Sequence, residues 1–232
     1  MKPAPFKYHD PRSVKDLVGL LASLENTKLL AGGQSLGPML NFRYVMPDHL
    51  IDLNRIPELA YIRSEADTLE IGAMTRQRML EHSAEVRRAC PIMVEALHSV
   101  GHIATRNRGT IGGSLSHLDP AAELPGVCAL HDATLTVSGP RGTRRIAMAE
   151  WGMSFMTPNL APDEVLTGIS VRPWREPHGH AFVGLARRQG DFAMAGVGCL
   201  IALDGNGIAR RVALALIGVT STPVRLPGAE KT

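Results

Sequence analysis

The sequence predicts a mixed α+β fold that ends in an antiparallel sheet. Apolar residues at helical spacing follow Ser13, which predicts an amphipathic first helix. Near the C-terminus, the apolar runs 195–203 and 208–219 are separated by Asp204-Gly205-Asn206-Gly207, a tetrapeptide typical of a hairpin because Asn and Gly tolerate positive φ. With 232 residues, 44% of them hydrophobic and 20% charged, the chain can bury a core in one or two compact domains.

The first 57 residues predict a small α/β unit. The first helix spans residues 14–24, with Ser13 and Asp16 forming a capping pattern at its start. A strand at residues 28–30 then runs into a glycine-rich loop, and residues 49–53 form a second strand. The turn at residues 54–57 closes the unit, so a subdomain boundary is expected near residue 57.

The next segment predicts further strands and helices around one long loop. Strands are expected at 68–72, 133–137 and 165–171, and helices at 75–83, 91–100 and 121–130. Residues 102–114 are rich in glycine and lack helical periodicity, which predicts a long loop of the kind that carries function. Residues 173–180 have the composition of a linker.

Composition excludes several classes of protein. The net charge is only +3, and Lys and Arg are interleaved with Asp and Glu, so no nucleic-acid footprint is expected. The three cysteines fit no paired metal spacing, which indicates reduced thiols in a cytoplasmic protein and no metal site. The N-terminus lacks a secretory apolar run, and no stretch of about 18 apolar residues predicts a membrane span.

The first glycine motif is Ala31-Gly32-Gly33-Gln34-Ser35. Paired glycines let the backbone bend and present successive N–H groups, an arrangement suited to a diphosphate. The motif is neither the GxGxxG dinucleotide fingerprint nor a P-loop, so ATP hydrolysis is not expected. A purely structural Gly-Gly turn remains the alternative interpretation.

The second glycine motif, Thr110-Ile111-Gly112-Gly113-Ser114, repeats this chemistry with two glycines, two hydroxyls and bare backbone donors. Arg106 and Arg108 could reach phosphates from it, or could be solvated surface arginines. An extended diphosphate could be held between the two motifs. His117 and Asp119 are interpreted as a pair that stabilises a turn rather than as a base or metal ligands.

These motifs carry a family resemblance. Residues 28–36 and 110–115, with Asp119-Pro120-Ala121-Ala122-Glu123, resemble the FAD-binding (medium) subunit of the xanthine dehydrogenase and carbon monoxide dehydrogenase family. Residues 6–11 and 187–193 extend the similarity over nearly the whole chain. The resemblance implies a two-subdomain FAD-binding domain of the vanillyl-alcohol-oxidase type, at residues 1–57 and 58–176. A flavin-covering domain at 177–232 is expected to be incomplete, because related subunits continue into helices that pack on its sheet.

The resemblance also implies the cofactor-binding residues. Those expected to contact FAD are Lys28, Leu29, Leu30, Ala31, Gly32, Gly33, Gln34, Ser35, Val100, Thr110, Gly112, Gly113, Ser114, Glu123 and Leu166. Glu123 would bond the nucleotide portion, and Phe192 would shield one face of the flavin ring. Val183 occupies the place of a lysine that some relatives hold near the flavin, so a cationic contact is not expected there. No catalytic side chain is expected, because the flavin itself exchanges electrons.

The resemblance further implies partners. A large molybdopterin subunit would oxidise the substrate, and a small subunit with two [2Fe-2S] clusters would relay electrons to this FAD, which passes them to NAD, a quinone or oxygen. One alternative is a non-redox regulatory or assembly module that binds a nucleotide diphosphate. A nucleic-acid module resting on Arg106, Arg108, Arg187 and Arg188 lacks stacking aromatics apart from Phe192. The C-terminal sheet is poor in charge on both faces, so a partner subunit or a second copy is expected to cover it.

Overall fold

A computed structural model describes residues 1–231, which begin with a small parallel sheet. Its elements are β1 (Lys7–His9), α1 (Val14–Ser23), β2 (Thr27–Leu30), α2 (Leu36–Asn41) and β3 (His49–Asp52). The strand order is β1-β3-β2, with both pairings parallel. The side chain of Ser13 accepts a hydrogen bond from the N–H of Asp16 at the start of α1, which confirms the predicted cap. Leu17 and Leu21 of α1 are buried in the core of this unit.

The central segment contains six helices and a five-stranded antiparallel sheet. Its strands are β4 (Ile62–Glu65), β5 (Thr68–Gly72), β6 (Thr134–Gly139), β7 (Gly142–Ala147), β8 (Gly152–Ser154), β9 (Thr157–Pro158) and β10 (Val165–Val171). Its helices are α3 (Gln77–His82), α4 (Ala84–Ala89), α5 (Pro91–Ser99), α6 (Ile103–Arg108), α7 (Ile111–His117) and α8 (Glu123–Leu130). The order β4-β5-β10-β6-β7 forms the sheet, and β8 pairs with β9 in a separate hairpin.

The C-terminal segment is a four-stranded antiparallel sheet whose strands follow chain order. They are β11 (Gly179–Leu185), β12 (Ala195–Leu203), β13 (Ala209–Ile217) and β14 (Val224–Arg225). The predicted hairpin is confirmed: the N–H of Asp204 donates to Ile208 O at 2.8 Å, and Gly207 has φ of +80°. One face of this sheet packs on α5 and α8, where Leu200 is fully buried. The other face carries exposed apolar side chains, including Val183 and Leu185 of β11.

Helix α8 lies at the centre of the molecule. All of its residues from Leu124 to Leu130 are buried, since it contacts α5 and α7 within its own segment and the C-terminal strands β12 and β13. Trp151, just before β8, is also fully buried, and its indole Nε1 donates to Leu115 O of α7 at 2.8 Å. The second glycine motif therefore rests on a packed interior rather than on a mobile connection.

Two predictions from the sequence were wrong in this region. Residues 102–114 form α6 and α7 rather than a long loop. Glycine lowers helix propensity, but Gly112 packs against the carbonyl of Ala73, and Thr110 Oγ1 caps α7 by accepting from the N–H of Gly113 at 3.0 Å. Residues 173–180 are not simply a linker: β11 begins at Gly179, and Trp174 is buried with the Arg211 guanidinium 4.0 Å above its ring.

Candidate functional site

The first glycine motif connects β2 to α2. Gly33 has φ of +71°, a left-handed conformation that glycine adopts without a steric penalty. Within the described residues, the backbone N–H groups of Gly32, Gly33 and Gln34 donate to no other group. The loop therefore presents consecutive unpaired donors, as the sequence predicts, and such a nest of donors is suited to an anion.

A cavity of about 360 Å³ opens beside this loop. It is lined by Leu30 of β2 and residues 31–34 of the first motif, by Asp52 and Asn54 at the end of β3, and by Arg108 at the end of α6. Unpaired backbone donors at the end of parallel strands, next to a guanidinium, are a favourable environment for phosphate groups.

The two glycine motifs are in direct contact. A methyl group on Gly32 would lie 2.3 Å from the carbonyl oxygen of Arg108, two residues before the second motif, so only glycine permits this approach. A methyl group on Gly113 would lie 3.6 Å from the Cβ of Ala31. The structure thus brings together the motifs that the sequence places about 80 residues apart.

The expectation that the second motif offers bare backbone donors is wrong. The N–H groups of Ile111 and Gly112 donate to Thr75 O and Ala73 O, at 3.2 and 2.9 Å. Those of Gly113 and Ser114 donate to the side chain and carbonyl of Thr110, as the first turn of a capped helix requires. The backbone donors of α7 are therefore engaged within the chain, and the unpaired backbone donors beside the cavity belong to the first motif.

A polar network that the sequence analysis missed supports both motifs. Asn54 donates from Nδ2 to Ala31 O at 3.0 Å, and its Oδ1 accepts from Arg76 Nη2. Arg76 Nη1 donates to Arg108 O, and its backbone bridges to Thr110. Asn54 follows the carboxyl end of β3, where polar residues commonly serve a site, so that signal was available in the sequence. No comparable feature of the sequence pointed to Arg76.

Arg106 does not reach the site, although the sequence suggested that it could. It is buried, and its Nε donates to Glu81 Oε2 at 3.0 Å. Its Nη1 donates to Val100 O at 2.9 Å, which fixes the chain between α5 and α6. Burial opposes ionisation of Glu81, but hydrogen bonds from Arg106 and Arg78 outweigh it and hold the pKa of Glu81 below its usual value. Arg106 is therefore part of a buried ion pair.

Glu123 is the first residue of α8 and is largely buried. Burial, with a smaller contribution from the charge of Asp119, raises the pKa of Glu123 to about 7, although its own backbone N–H opposes the shift. Asp119 Oδ1 accepts from the N–H of Ala121 at 2.9 Å, so Asp119 stabilises a turn through the backbone rather than through a hydrogen bond with His117. Burial also lowers the pKa of His117, and the nearby charge of Asp119 only partly offsets this.

The remaining candidate residues lie in varied environments. Lys28 is exposed on β2, whereas Leu29 packs against the core of the first unit. Val100 is half-buried at the end of α5, and Leu166 of β10 is a buried core residue. Phe192 lies in the β11–β12 connection with 74% of its surface exposed.

Residues 1–231 contain neither a metal-binding cluster nor a membrane-spanning helix. In that range no group of three or more His, Cys, Asp or Glu side chains is arranged to hold a metal ion. None of the helices there is both long and apolar enough to span a membrane. All three cysteines are free thiols, two of them fully buried.

Two family models cover almost the entire chain. Residues 4–174 match the FAD binding domain in molybdopterin dehydrogenase, and residues 180–232 match the CO dehydrogenase flavoprotein C-terminal domain. These matches confirm the predicted order of a mixed α+β FAD-binding domain followed by a C-terminal antiparallel-sheet domain.

Individual relatives agree with the family models. The chain is 40% identical over 231 residues to the 6-hydroxypseudooxynicotine dehydrogenase complex subunit alpha of Paenarthrobacter nicotinovorans, covering 99% of this chain and 78% of that protein. It is 38% identical over 229 residues to the carbon monoxide dehydrogenase medium chain of Hydrogenophaga pseudoflava, covering 98% and 79%.

Solved structures show the same likeness. Carbon monoxide dehydrogenase from Hydrogenophaga pseudoflava, in a form lacking the Mo-pyranopterin moiety of its molybdenum cofactor, matches with a TM-score of 0.94 and 38% identity, over 97% of this chain and 78% of that chain. Quinoline 2-oxidoreductase from Pseudomonas putida 86 matches with a TM-score of 0.95 and 32% identity, over 100% and 80%. The relatives are named as subunits or chains of larger dehydrogenases, and this chain belongs to the family of FAD-binding medium subunits of molybdenum hydroxylases.

Proposed function

We propose that this chain binds one FAD non-covalently and acts as the electron-output subunit of a molybdenum hydroxylase complex. The observation that carries the proposal is the first glycine motif: Gly32, Gly33 and Gln34 have unpaired N–H groups and line a cavity that Arg108 also lines. Unpaired donors next to positive charge fit the diphosphate of FAD, so the residues present suit the cofactor that the family binds.

Each candidate residue has a proposed role. The backbone of residues 31–35 holds the diphosphate, with the β2 residues 28–30 setting the position of the loop. Thr110, Gly112, Gly113 and Ser114 border the cofactor from the second motif, and among these the Ser114 hydroxyl is a candidate hydrogen-bonding group. Glu123 accepts a hydrogen bond from the nucleotide portion, while Val100 and Leu166 form apolar boundaries.

Phe192 is proposed to cover one face of the flavin ring. The connection that carries it is anchored by Gly190, where an added methyl group would lie 2.5 Å from the ring of His102 in the central segment. Contact with the FAD-binding segment thus sets the position of the β11–β12 connection, while the phenyl ring of Phe192 is exposed and available to a ligand. A bound flavin supplies an electron-accepting and electron-donating ring, and the protein sets its orientation and access.

The electron path and partners follow from the family. We propose that a small subunit with [2Fe-2S] clusters delivers electrons, which a large molybdopterin subunit takes from the substrate. NAD, a quinone or oxygen is the proposed terminal acceptor. A cytoplasmic location is supported by the three free thiols. We also propose structural units at residues 1–57, 58–176 and 177–232, because the three-, five- and four-stranded sheets each fall within one of them.

The cofactor is tested on the purified full-length chain. We expect about one yellow FAD per chain. It should be bound non-covalently, because backbone N–H groups hold a diphosphate through hydrogen bonds and form no covalent bond to the flavin. Absorbance between roughly 350 and 500 nm, the range of the oxidised flavin ring, would show the cofactor, and acid precipitation should release it into the supernatant. Chromatography of the supernatant then distinguishes FAD from FMN. Colour that stays with the pellet, or release of FMN, would overturn the proposed mode of binding.

A further inference from the structure

The side chain of Arg76 connects the segments that carry the two glycine motifs. Its guanidinium donates to Arg108 O, which touches Gly32, and to Asn54 Oδ1. Asn54 in turn donates to Ala31 O at 3.0 Å, so a single side chain ties both motifs to the end of β3. The Arg76 backbone adds a bridge to Thr110 at the start of the second motif. Loss of this side chain would release contacts to both motifs at once.

The positive charge at this point has no direct carboxylate partner among the described residues. Within residues 1–231, neither Arg76 nor Arg108 forms an ion pair with a carboxylate. The nearby carboxylate of Asp52 is occupied by other donors, since it accepts from Tyr8 Oη at 2.6 Å and from the N–H of Asn54 at 2.9 Å.

The two guanidiniums are close enough to affect each other. Arg76 is partly buried, and its pKa is lowered first by burial and then by the positive charge of Arg108, while the negative charge of Asp52 partly opposes this shift. Like charges held together at a partly buried position are unfavourable unless an anion joins them. Arg108 lines the cavity beside the unpaired donors of the first motif, so the unbalanced charge lies where an anion would enter.

We propose that Arg76 and Arg108 form a cationic clamp for the diphosphate of FAD. Arg76 is a positioning residue: it does not line the cavity, but it holds the residues beside the two motifs together and adds positive charge behind the cavity wall. Arg108 closes the cavity from the side and supplies the second charge. This inference rests on the proposed binding of FAD and assigns the electrostatic part of that binding to two residues outside the glycine motifs.

The test compares variants of the full-length chain, stripped of flavin and titrated with FAD while its fluorescence is followed. Arg76→Met and Arg108→Met should each weaken FAD binding by about tenfold or more and should flatten the salt dependence of the affinity, because each removes a charge opposite the diphosphate. Arg76→Lys should recover part of the salt dependence but not the two directed hydrogen bonds. Riboflavin, which has no phosphate, should bind all variants alike.

Arg210→Met is the matched control, since Arg210 is an exposed arginine on β13 in the C-terminal sheet. It removes the same net charge and should leave both affinity and salt dependence unchanged. Folded Arg76→Met and Arg108→Met variants that bind FAD like the wild type, with the same salt dependence, would overturn the clamp. If Arg76→Met does not fold, Arg108→Met decides alone, because the side chain of Arg108 is exposed and forms no hydrogen bond or ion pair with another residue in the range 1–231. A wild-type chain that takes up no FAD would instead refute the proposed cofactor site.

Discussion

At the scale of single residues, the raised pKa of Glu123 makes stability depend on pH, and its proposed contact with FAD would make cofactor binding depend on pH as well. Its pKa of about 7 in the folded chain lies above the ordinary 4.5. A raised carboxyl pKa favours the folded state most at low pH, and this contribution is lost as pH rises through about 7. Each pKa unit corresponds to about 1.4 kcal/mol, so the loss is on the order of a few kcal/mol at most.

Glu123→Gln should therefore remove this pH dependence. The flavin-free variant should lose less stability than the wild type between pH 5 and pH 8, as measured by urea unfolding at ~pH 5 and ~pH 8. The same variant should bind FAD more weakly at high pH, where the wild-type carboxylate is ionised and accepts a stronger hydrogen bond. The exposed Glu25→Gln substitution serves as the control. Parallel pH profiles for wild type and Glu123→Gln would contradict this assignment.

At the scale of elements, the sequence correctly predicted most strongly periodic segments and the unpaired donors of the first glycine motif, but not the structure of the second motif. The helix after Ser13 and the hairpin at Asp204 follow from local capping and turn chemistry. Helices α6 and α7 could not be predicted in this way, because Gly112 is favoured there by its approach to Ala73, a residue distant in sequence. The network of Arg76 was missed for the same reason: its partners, Asn54 and Arg108, lie 22 and 32 residues away.

The close approach of Gly32 to the backbone of Arg108 predicts that a methyl group added at Gly32 lowers stability. Gly32→Ala should destabilise the chain by about 1–3 kcal/mol, because the added Cβ would meet the backbone of Arg108 and force the motifs apart. FAD affinity should fall with it. Gly19→Ala is a matched control: no atom lies within 4 Å of its added Cβ in α1, and it should stabilise the chain by about 0.5–1 kcal/mol. Thermal unfolding and FAD titration measure both. An unaffected Gly32→Ala variant would show that the motifs can separate without cost.

At the scale of the whole molecule, the C-terminal sheet presents an open apolar face. Side chains on this face alternate with those that pack on α5 and α8, and Val183 and Leu185 are 63% and 64% exposed. The expected cover by a partner subunit or a second copy stays a prediction. The strands of this sheet are poor in charge on both faces, although only one face is buried within the chain. An apolar partner surface over the other face would account for this composition.

The open face should bind an environment-sensitive dye in the isolated chain. Val183→Lys should reduce both dye fluorescence and self-association in analytical ultracentrifugation, because a charge interrupts the apolar surface. Ile208→Lys is matched in exposure, at 63%, but lies in the hairpin connection before β13. It should change neither measurement. A wild-type chain that remains monomeric and binds no dye would show that this face needs no cover.

The two tryptophans give the molecule an optical property of its own. Trp151 is bonded through its indole N–H to Leu115 in the helix that contains the second glycine motif, and its burial shields its emission from water. Trp174 lies near the junction with the C-terminal sheet, beneath Arg211. Because a flavin ring absorbs where tryptophan emits, energy transfer from Trp151 would report cofactor uptake in real time. In the Trp174→Phe variant, the remaining tryptophan emission would come from Trp151, which is hydrogen-bonded to the helix of the second motif. The fraction of chains that hold a flavin could then be followed without any added label.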